Sequence, residues 1–525
     1  MKKCLLIFLL FNVLNLTAQS LPHSYFLSPE RSYKIEDLTP ASNTIEKILI
    51  VDNTIWLATS NGLSKSVDNG NTWINYYNSK DFGTESVSTV ANDNGTIWAA
   101  TWHFEVINGQ NLPVGTGLRY STDQGETWTK IDQPVDSPGD SIITYGINKI
   151  RALPITTTVQ NFIRDIAFTP NTVWITTNAG GLRKSTDTGK TWQRIILPPD
   201  YLDSIKPTDT LHFSLQPVAG SFGNEANLNH IGFSILTLSD GTIYVGTAGG
   251  INKSTDGGIS WIKFNHTNQK QPISGNHILA IKFNKADSSI WAATWKAEGE
   301  SEYWAVSRTI DGGSSWNTFL PGSYALDFGF KYYGDINKPI NADVLVATED
   351  GLFRTNNNGL TWIAAPQIVD DVTKISLNTN HFRTVKTNRR GDGSTDIWIG
   401  SLNGLAKLNE TNGIWSGTWK VYIASGESLQ QNSSIAFPNP FSPDDEKLNI
   451  KYTLSQDADV TIRIFDYGMN LVRTIIQNVP KRANIDNIEI WDGRDEKGRI
   501  VANGVYFYRI DAGNKPLFGK IIVMM

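Results

Sequence analysis

Short runs of alternating apolar and polar residues, separated by glycine- and asparagine-rich turns, fill most of the chain. One such unit begins at Ile55–Thr59 and continues through a turn to Trp73. Its first half returns at Ile97-Trp98, Val173-Trp174, Ile243-Tyr244, Ile290-Trp291, Val344-Leu345 and Ile397-Trp398. Alternation of this kind is typical of strands, and no long helical periodicity interrupts it. The pattern therefore predicts an all-β chain with seven repeats of a strand-turn-strand unit.

A turn of the form Ser/Thr-x-Asp-x-Gly-x-Thr/Ser-Trp forms the second half of six units. Its third position holds Asp68, Asp123, Asp187, Asp256, Asp311 and, in a weakened copy, Asn357. Aspartate accepts hydrogen bonds from backbone N–H groups of its own turn, and glycine adopts backbone angles that other residues avoid. The tryptophan then begins the next strand and buries its ring between neighbouring sheets. We therefore interpret these aspartates and most of the tryptophans as structural.

These turns resemble the Asp-box (BNR) repeat of sialidases, sortilin-type receptors, Asp-box xyloglucanases and photosystem assembly propellers. The resemblance covers residues 33–424 and implies a seven-bladed β-propeller, in which each blade is a four-stranded antiparallel sheet. In that family the box is structural and lies away from the active site. The resemblance thus predicts a fold and leaves the function open.

The C-terminal residues 435–525 form a second predicted domain, after a polar linker at 425–434. Short alternating strands over this length suggest an Ig-like sandwich. The segment resembles the Ig-like domain of flagellar hook-capping proteins and the type A sorting domain of the type IX secretion system. The resemblance rests on Asn439-Pro440-Phe441, Trp491–Asp495, Gly498, Gly504-Val505-Tyr506 and Lys520. It implies the type IX machinery as a partner and delivery to the outer cell surface; the alternative is a stalk module that spaces the propeller from a surface.

The N-terminal residues 1–18 have the organisation of a secretory signal peptide. Lys2-Lys3 precede a short apolar run, and Ala18 supplies a small residue before the expected cleavage point. The run is shorter than the roughly 20 residues that span a bilayer. Cleavage would remove Cys4, the single cysteine. We therefore expect a secreted mature chain without a transmembrane segment or a disulfide.

Composition narrows the classes of function. The chain has 525 residues, of which 40% are hydrophobic, so it has enough apolar residues for a sizeable core. Its 46 Lys and Arg against 51 Asp and Glu give a formal charge of −5, which argues against nucleic acid as a partner. No metal, nucleophile-elbow or phosphate-loop motif is present in the sequence. We therefore expect no cofactor and no metal.

Three lengthened connections are expected on the upper face of the propeller, where the second strand of each blade turns into the third and the fourth leads to the next blade. They are Trp102–Gly117, Trp295–Ala305 and Pro198–Asn229. Long loops often carry function. Trp102, Trp295 and Trp304 would stack on sugar rings or plug the loops onto their neighbours. Glu105 in one of these loops and Glu298, Glu300 and Glu302 in another are the carboxylates that a glycosidase would require, or else solvated loop residues.

Three histidines, His230, His277 and His381, each stand just before a predicted innermost strand. Equivalent placement would bring them to the upper mouth of the central channel, where neutral imidazoles accept polar ligand groups. The alternative is that each hydrogen-bonds a neighbouring blade.

Together these features predict a secreted, surface-delivered binding protein that takes a glycan or a surface protein on its upper face without catalysis. The first alternative is a glycoside hydrolase that resembles Asp-box xyloglucanases or sialidases. The sialidase form lacks the early Arg-Ile-Pro step of that family, for which Arg151–Pro154 is a poor substitute. The second alternative is an assembly or scaffold protein. No catalytic residue is assigned.

Overall fold

The computed structural model describes residues 35–524 except 218–226, 336, 373–374, 412, 425–431, 438, 444–446, 484–485 and 514–515. The predicted signal peptide and most of the predicted linker lie outside the described residues. Within them, strands dominate and the helical elements amount to one 3-10 turn, Leu228–His230. The prediction of an all-β chain is therefore confirmed.

Sheets of four antiparallel strands in sequence order recur between residues 45 and 422. The strands of the first half are β1 (Ile35–Asp37), β2 (Ile45–Val51), β3 (Thr54–Thr59), β4 (Gly62–Ser66), β5 (Trp73–Asn75), β6 (Ser86–Asp93), β7 (Thr96–Ile107), β8 (Gln110–Ser121), β9 (Thr129–Ile131), β10 (Ile142–Tyr145), β11 (Asn148–Ala152), β12 (Ile163–Thr169), β13 (Thr172–Thr177), β14 (Gly181–Ser185), β15 (Gln193–Arg194), β16 (Ser204–Ile205) and β17 (Ser214–Leu215).

The second half continues the same plan. Its strands are β18 (Gly232–Thr237), β19 (Ile243–Thr247), β20 (Gly250–Ser254), β21 (Trp261–Phe264), β22 (His277–Asn284), β23 (Ser289–Trp295), β24 (Ala305–Thr309), β25 (Asn317–Phe319), β26 (Ala325–Gly334), β27 (Pro339–Thr348), β28 (Gly351–Thr355), β29 (Ile363–Ala364), β30 (Phe382–Arg389), β31 (Thr395–Ser401), β32 (Leu405–Glu410) and β33 (Gly417–Tyr422).

The first strands of these sheets form a closed ring around a central channel. In order β2, β6, β12, β18, β22, β26 and β30 each contact the next, and β30 contacts β2. The first and last sheets are also joined by a reciprocal pair of hydrogen bonds: Asn43 Nδ2 donates to Ala424 O at 3.1 Å, and Ala424 N donates to Asn43 Oδ1 at 2.6 Å. The strands therefore enclose an axis instead of stacking in an open row.

The tryptophans of the repeats hold neighbouring sheets together. Trp128, which ends the turn of one sheet, lies edge-on to Trp56 of the preceding sheet, with ring centroids 6.1 Å apart. Trp362 and Trp291 repeat this contact at 6.2 Å. Large aromatic rings bury much apolar surface, and edge-to-face pairs add to that stabilisation. The packing predicted for these rings is thus what joins one sheet to the next.

The repeated turns join the third strand of a sheet to the fourth. In the turn at 309–316, Asp311 Oδ1 accepts from Ser315 N at 3.0 Å and Oδ2 accepts from the Ser315 hydroxyl at 2.6 Å. Gly313 has φ +107°, and a side chain there would collide with the ring of Phe264. Desolvation alone would raise the pKa of Asp311, but the hydrogen bonds from Ser315 and Thr309 lower it to about 2. The carboxylate therefore ties the turn closed.

We expect Asp311→Ala to lower the free energy of unfolding by about 1 kcal/mol, because the turn loses its acceptor. Asp311→Asn should cost less, since Asn357 already holds the equivalent turn by accepting from Thr361 N at 2.9 Å. The pKa of Asp311 is depressed, so its contribution is complete above pH 3.8 and is lost as the pH falls towards about 2. Chemical denaturation of the three proteins between pH 2 and 7 measures this; an identical acid dependence in the Asn variant would contradict it.

A second, smaller sheet lies outside the repeats. Strands β10 and β11 pair as a hairpin, and β17 adds to β11 in parallel. Strand β16 instead extends the outer edge of the fourth four-stranded sheet by pairing with β21. The insertion therefore includes residues 132–161 in addition to the predicted Pro198–Asn229, since the two segments complete one another.

The lengthened connection Trp102–Gly117 is regular structure. Strands β7 and β8 continue as a hairpin to Ile107 and Gln110, with a register shift at Trp102. A hairpin extended beyond the sheet satisfies its own backbone groups. The expectation of an irregular loop at this position is therefore wrong.

The C-terminal strands form two sheets around one apolar core. They are β34 (Ser434–Phe437), β35 (Leu448–Thr453), β36 (Ala458–Phe465), β37 (Leu471–Lys481), β38 (Asp486–Trp491), β39 (Gly504–Ala512) and β40 (Leu517–Val523). One sheet has the order β34-β35-β38 and the other β37-β36-β39-β40. Trp491, Phe441 and Ile462 are among the buried residues between them. Two sheets with interdigitated apolar faces are a self-sufficient core.

Candidate functional site

Each innermost strand carries a bulge close to its beginning. In every case the pairing with the second strand skips one residue, and the skipped residues are Glu46, Ser88, Arg164, Phe233, Leu279, Leu326 and Arg383. A bulge leaves its extra residue outside the ladder and redirects its side chain. Seven skipped residues therefore gather at the same end of the channel, on the face that receives the connections between sheets.

Two of these bulged residues are arginines, and a single carboxylate lies among them. Arg383 Nη2 is 2.6 Å from Glu46 Oε2. Arg164 donates from Nε to Asn178 Oδ1 at 2.8 Å. Its side chain is still accessible to solvent, although other protein groups lie close around it. Desolvation lowers the pKa of Arg164 to about 10, with Glu46 opposing and Arg383 reinforcing the effect. We call Glu46, Arg164, Phe233, His277 and Arg383 the channel mouth; it carries an excess of positive charge.

Arg164 is the centre of a row of stacked planar groups. Its guanidinium carbon lies 4.4 Å from the ring centroid of Phe162 and 5.5 Å from that of Phe233. Trp102 stacks on the outer side of Phe162 at 5.2 Å, and His277 stacks on Phe233 at 4.3 Å. Two aromatic rings this close attract the guanidinium by cation–π interaction, which does not consume its N–H donors. The stacked row thus presents a cation beside aromatic surface.

Of the three predicted histidines, His277 belongs to the channel mouth, and His381 directly precedes β30, the innermost strand that carries Arg383. Burial, reinforced by Arg164, lowers the pKa of His277 to about 4. His381 has Nε2 at 3.8 Å from Glu349, and desolvation lowers its pKa although Glu349 opposes this. Both imidazoles are therefore neutral at pH 7 and have an acceptor nitrogen.

The third histidine, His230, lies elsewhere. It is buried beneath the insertion, where Nε2 is 3.3 Å from Leu197 O and the ring faces Phe213. Burial, with Arg194 nearby, lowers the pKa of His230 to about 3. This histidine holds the insertion against the sheets. Its position agrees with the alternative given above, in which the histidine hydrogen-bonds a neighbouring part of the protein.

Trp295 and Trp304 pack around Tyr324. The indole N–H of Trp295 donates to Ala325 O at 2.7 Å, and its ring lies edge-on to Tyr324 with centroids 5.1 Å apart. Trp304 lies 4.8 Å from the same tyrosine. Trp295 also pairs across the strands with His277. These rings therefore form a wall beside the mouth and remain partly exposed.

The predicted carboxylates are not brought into one catalytic pair. Glu105 is exposed on strand β7, and Glu300 is exposed in the connection between β23 and β24. Their neighbour Glu302 is buried and accepts from Asn276 N at 3.0 Å and Ala297 N at 2.8 Å, so it holds its loop. A glycosidase general acid requires apolar surroundings that keep it protonated. Neither exposed glutamate has such surroundings.

Ion pairs cross the channel below the mouth. Lys47 binds Asp165 and donates to Thr89 Oγ1 at 2.9 Å. On the opposite side Lys386 lies 3.0 Å from Asp327. Burial opposes ionisation of Asp327, but Lys386 and Lys282 lower its pKa to about 2. Both aspartates therefore stay charged and link inner strands to one another.

The sequence analysis missed Glu46, Arg164, Phe233 and Arg383. They hold the same position in the repeat, directly after the first apolar residue of the innermost strand. Aligning the seven copies at that position would have shown two arginines and one glutamate in a ring of otherwise uncharged residues. The repeat register was the available signal.

The sheets, the closed ring of inner strands and the channel define the chain as a β-propeller protein. No family model matches it. Over 184 residues, 34% of this chain, it is 27% identical to the Neosartorya fischeri protein named "Probable oligoxyloglucan-reducing end-specific xyloglucanase" and spans 17% of that relative.

Two of the solved structures that match this chain differ in their similarity to it. An ancestral GH74 enzyme matches with TM-score 0.50 and 14% identity over 92% of this chain and 63% of its own. PorZ, a surface component of the type-IX secretion system of Porphyromonas gingivalis, matches with TM-score 0.37 and 14% identity over 90% of this chain and 64% of its own. The chain thus spans less than two thirds of each relative's length.

Two features are absent from the residues that the structure describes. No helix in that part of the chain is long and apolar enough to cross a membrane. No group of three or more His, Cys, Asp or Glu side chains in that part is placed to hold a metal ion.

Proposed function

We propose that this chain is a secreted binding protein that takes an acidic glycan or an acidic protein segment at the channel mouth, without catalysis. The observation that carries the proposal is the pair of bulged arginines, Arg164 and Arg383, which face one carboxylate, Glu46. An acidic group on a ligand would satisfy the uncompensated guanidinium, and Arg binds carboxylates in a forked geometry.

The surroundings of the mouth fit such a ligand. The stacked row and the wall formed by Trp295 and Trp304 offer aromatic surface within the same face. Aromatic rings bind the apolar side of a sugar or a peptide side chain, while the neutral His277 and His381 accept hydroxyl or amide donors. Polar groups at the centre of an aromatic surface give such a site its orientation and specificity.

The wider assignment rests on the sequence. We propose a seven-bladed Asp-box propeller at residues 33–424, with a signal peptide at 1–18, a linker at 425–434 and an Ig-like sorting domain at 435–525. The contacts of the seven inner strands and the hydrogen-bonded turns support the propeller part. The two-sheet core supports the sandwich. The sorting motifs would make the type IX machinery a partner and the outer cell surface the destination.

Glycoside hydrolysis remains the second candidate, because the chain matches a protein named as a xyloglucanase over 184 residues. Its active carboxylates would have to be Glu105 and Glu300, and both are exposed. Binding without catalysis agrees better with those surroundings.

The test uses the full chain without its first 18 residues. We expect it to bind acidic members of a glycan array or acidic peptides, and to leave xyloglucan intact. Replacing both Arg164 and Arg383 by glutamine should weaken that binding about tenfold or more, since each guanidinium contributes charge-assisted hydrogen bonds.

Arg499→Gln is the matched control, because that arginine lies in the connection between β38 and β39, with its side chain 70% exposed. Equal binding by the double variant would remove the mouth from the proposal. Xyloglucan hydrolysis that is lost in Glu105→Gln or Glu300→Gln would establish the hydrolase instead.

A further inference from the structure

A large cavity among the described residues lies at the opposite end of the channel from the mouth. It has a volume of about 710 Å³ and is enclosed by the ends of β22, β26 and β30 and the hairpins that follow them. Cavities of this size hold a cofactor-sized or drug-sized molecule. We call it the lower cavity.

Apolar rings form one side of the lower cavity. Phe283, Phe328, Phe330 and Tyr332 all line it, and Phe330 and Tyr332 have centroids 6.0 Å apart at a tilt of 31°. Lys285 places its ammonium 4.8 Å above the ring of Tyr332, which keeps that ring in position. The apolar side therefore suits a flat or cyclic body.

Cations form the other side. The lining includes Lys282, Lys285, Lys386, Arg389 and Arg390, against one acidic residue, Asp335. Such an accumulation of one sign would be costly unless nearby carboxylates or a bound anion compensated it. The protein compensates part of this charge, since Arg390 lies 3.6 Å from Asp396 and two aspartates, Asp327 and Asp165, attract the two deepest lysines.

Lys386 and Lys282 both lie near Asp327 at the inner end of the cavity, and Asp165 also attracts Lys282. Lys386 donates to Asp327 at 3.0 Å and to Phe328 O at 2.9 Å, which uses two of its three N–H groups. Lys282 is 3.9 Å from Asp327, beyond hydrogen-bond distance. Desolvation, opposed by Asp327 and reinforced by Lys282, lowers the pKa of Lys386 to about 8. Asp327 thus hydrogen-bonds the ammonium group of Lys386 and not that of Lys282.

The count of charged side chains along the channel also leaves an excess of positive charge. Three lysines, Lys47, Lys282 and Lys386, face two aspartates, Asp165 and Asp327, so one positive charge is left over (3 − 2 = 1). The whole chain is acidic, with a formal charge of −5. A positive cavity inside an acidic protein concentrates the field on a small region and favours entry of anions there.

We propose that the lower cavity binds a small organic anion in which a carboxylate, sulfate or phosphate is attached to a ring. The acid group lies between Lys282 and Lys386, and the ring packs on Phe330 and Tyr332, with Arg389 and Arg390 at the entrance. This site is separate from the channel mouth and does not depend on the function proposed for it.

Calorimetric titration of the full chain without its first 18 residues tests the site. The probes are naphthalene-2-sulfonate for an aromatic ring and digalacturonate for a sugar ring, with 2-naphthol and a neutral galactose disaccharide as uncharged counterparts. We expect at least one charged probe to bind, and to bind about tenfold or more tightly than its counterpart. The probe that binds identifies the kind of ring.

Lys386→Met should weaken binding of that probe about tenfold, but it also unpairs Asp327. Arg389→Gln provides a second variant, since Arg389 is exposed and contacts only the Gly334 carbonyl among the described contacts. Lys130→Met, whose side chain is 59% exposed on β9, is the matched control and should bind as the parent does. Three results would overturn the proposal. Neither charged probe binds saturably, the uncharged counterparts bind equally well, or both cavity variants bind with unchanged affinity.

Discussion

Replacing Arg354 by methionine is expected to lower the free energy of unfolding by about 3–5 kcal/mol, because two carboxylates would be left buried without their main partner. Arg354 is fully buried in β28 and donates through Nε and Nη2 to Asp343 at 2.8 and 2.5 Å. Its Nη1 donates at 2.6 Å to Glu410 of the last sheet. Methionine fills similar space, so the loss measures charge and hydrogen bonding more than volume.

The control is a triple variant that also carries Asp343→Asn and Glu410→Gln. Neutralising these two unpaired carboxylates should restore part of the lost unfolding free energy, because a neutral buried group costs less than an unpaired ion. Lys331, which lies 2.5 Å from Glu410, retains an amide oxygen as acceptor in that variant. Chemical denaturation compares the three proteins. A loss below about 1 kcal/mol for the single variant, or no recovery in the triple one, would show that the network is not a stabilising link between the sheets.

The strands and turns could be predicted because their signals are local. In β3 the residues from Ile55 to Ala58 are all buried, since the second strand of each sheet has another sheet on both sides. The apolar run, the aspartate and the glycine that follow it lie within about twenty residues of one another. A repeated local signal identifies an element without knowledge of its neighbours.

The channel mouth could not be predicted, because it depends on bulges. In the stretch Ile163-Arg164-Asp165-Ile166, alternation alone would place Arg164 and Ile166 on one face and Ile163 and Asp165 on the other, but the register shift between Ile163 and Asp165 breaks this order. The extra residue sends Arg164 to the mouth, while Asp165 lies below it in contact with Lys47. The register between the first and second strands decides which of the two adjacent charged residues faces a ligand. The sequence does not display that register.

The insertion was incompletely predicted for a related reason. Its strand β11 pairs in parallel with β17, more than sixty residues later in the chain. Neither segment carries the repeat pattern, and only the second was noticed by its length. Pairings between distant segments are formed by tertiary packing, so local periodicity indicates that a strand exists but not what it joins.

The second large effect is expected at the seam where the ring closes. Trp73 ends the turn of the first sheet and packs edge-on against Trp398 at 6.2 Å and Tyr422 at 5.9 Å, both in the last sheet. It has no exposed surface. We expect Trp73→Ala to lower the free energy of unfolding by about 3–5 kcal/mol, the usual cost of emptying a buried tryptophan site.

Because Trp73 lies at the seam, we expect its replacement to have a local effect in addition to the loss of unfolding free energy. The sheets next to the seam are joined by packing and by isolated contacts such as Asn43 with Ala424, because no strand of one sheet pairs with the other there. Emptying the Trp73 site should therefore raise amide hydrogen exchange in β2 and β30 more than in β18, which lies across the ring.

Trp192→Ala is the matched control: Trp192 occupies the equivalent turn position in the third four-stranded sheet and is half-buried. It should cost less, about 2 kcal/mol, and leave exchange in β2 and β30 unchanged. Equal losses with uniform exchange would mean that the seam is no weaker than any other junction, and that the ring is held by all its sheets alike.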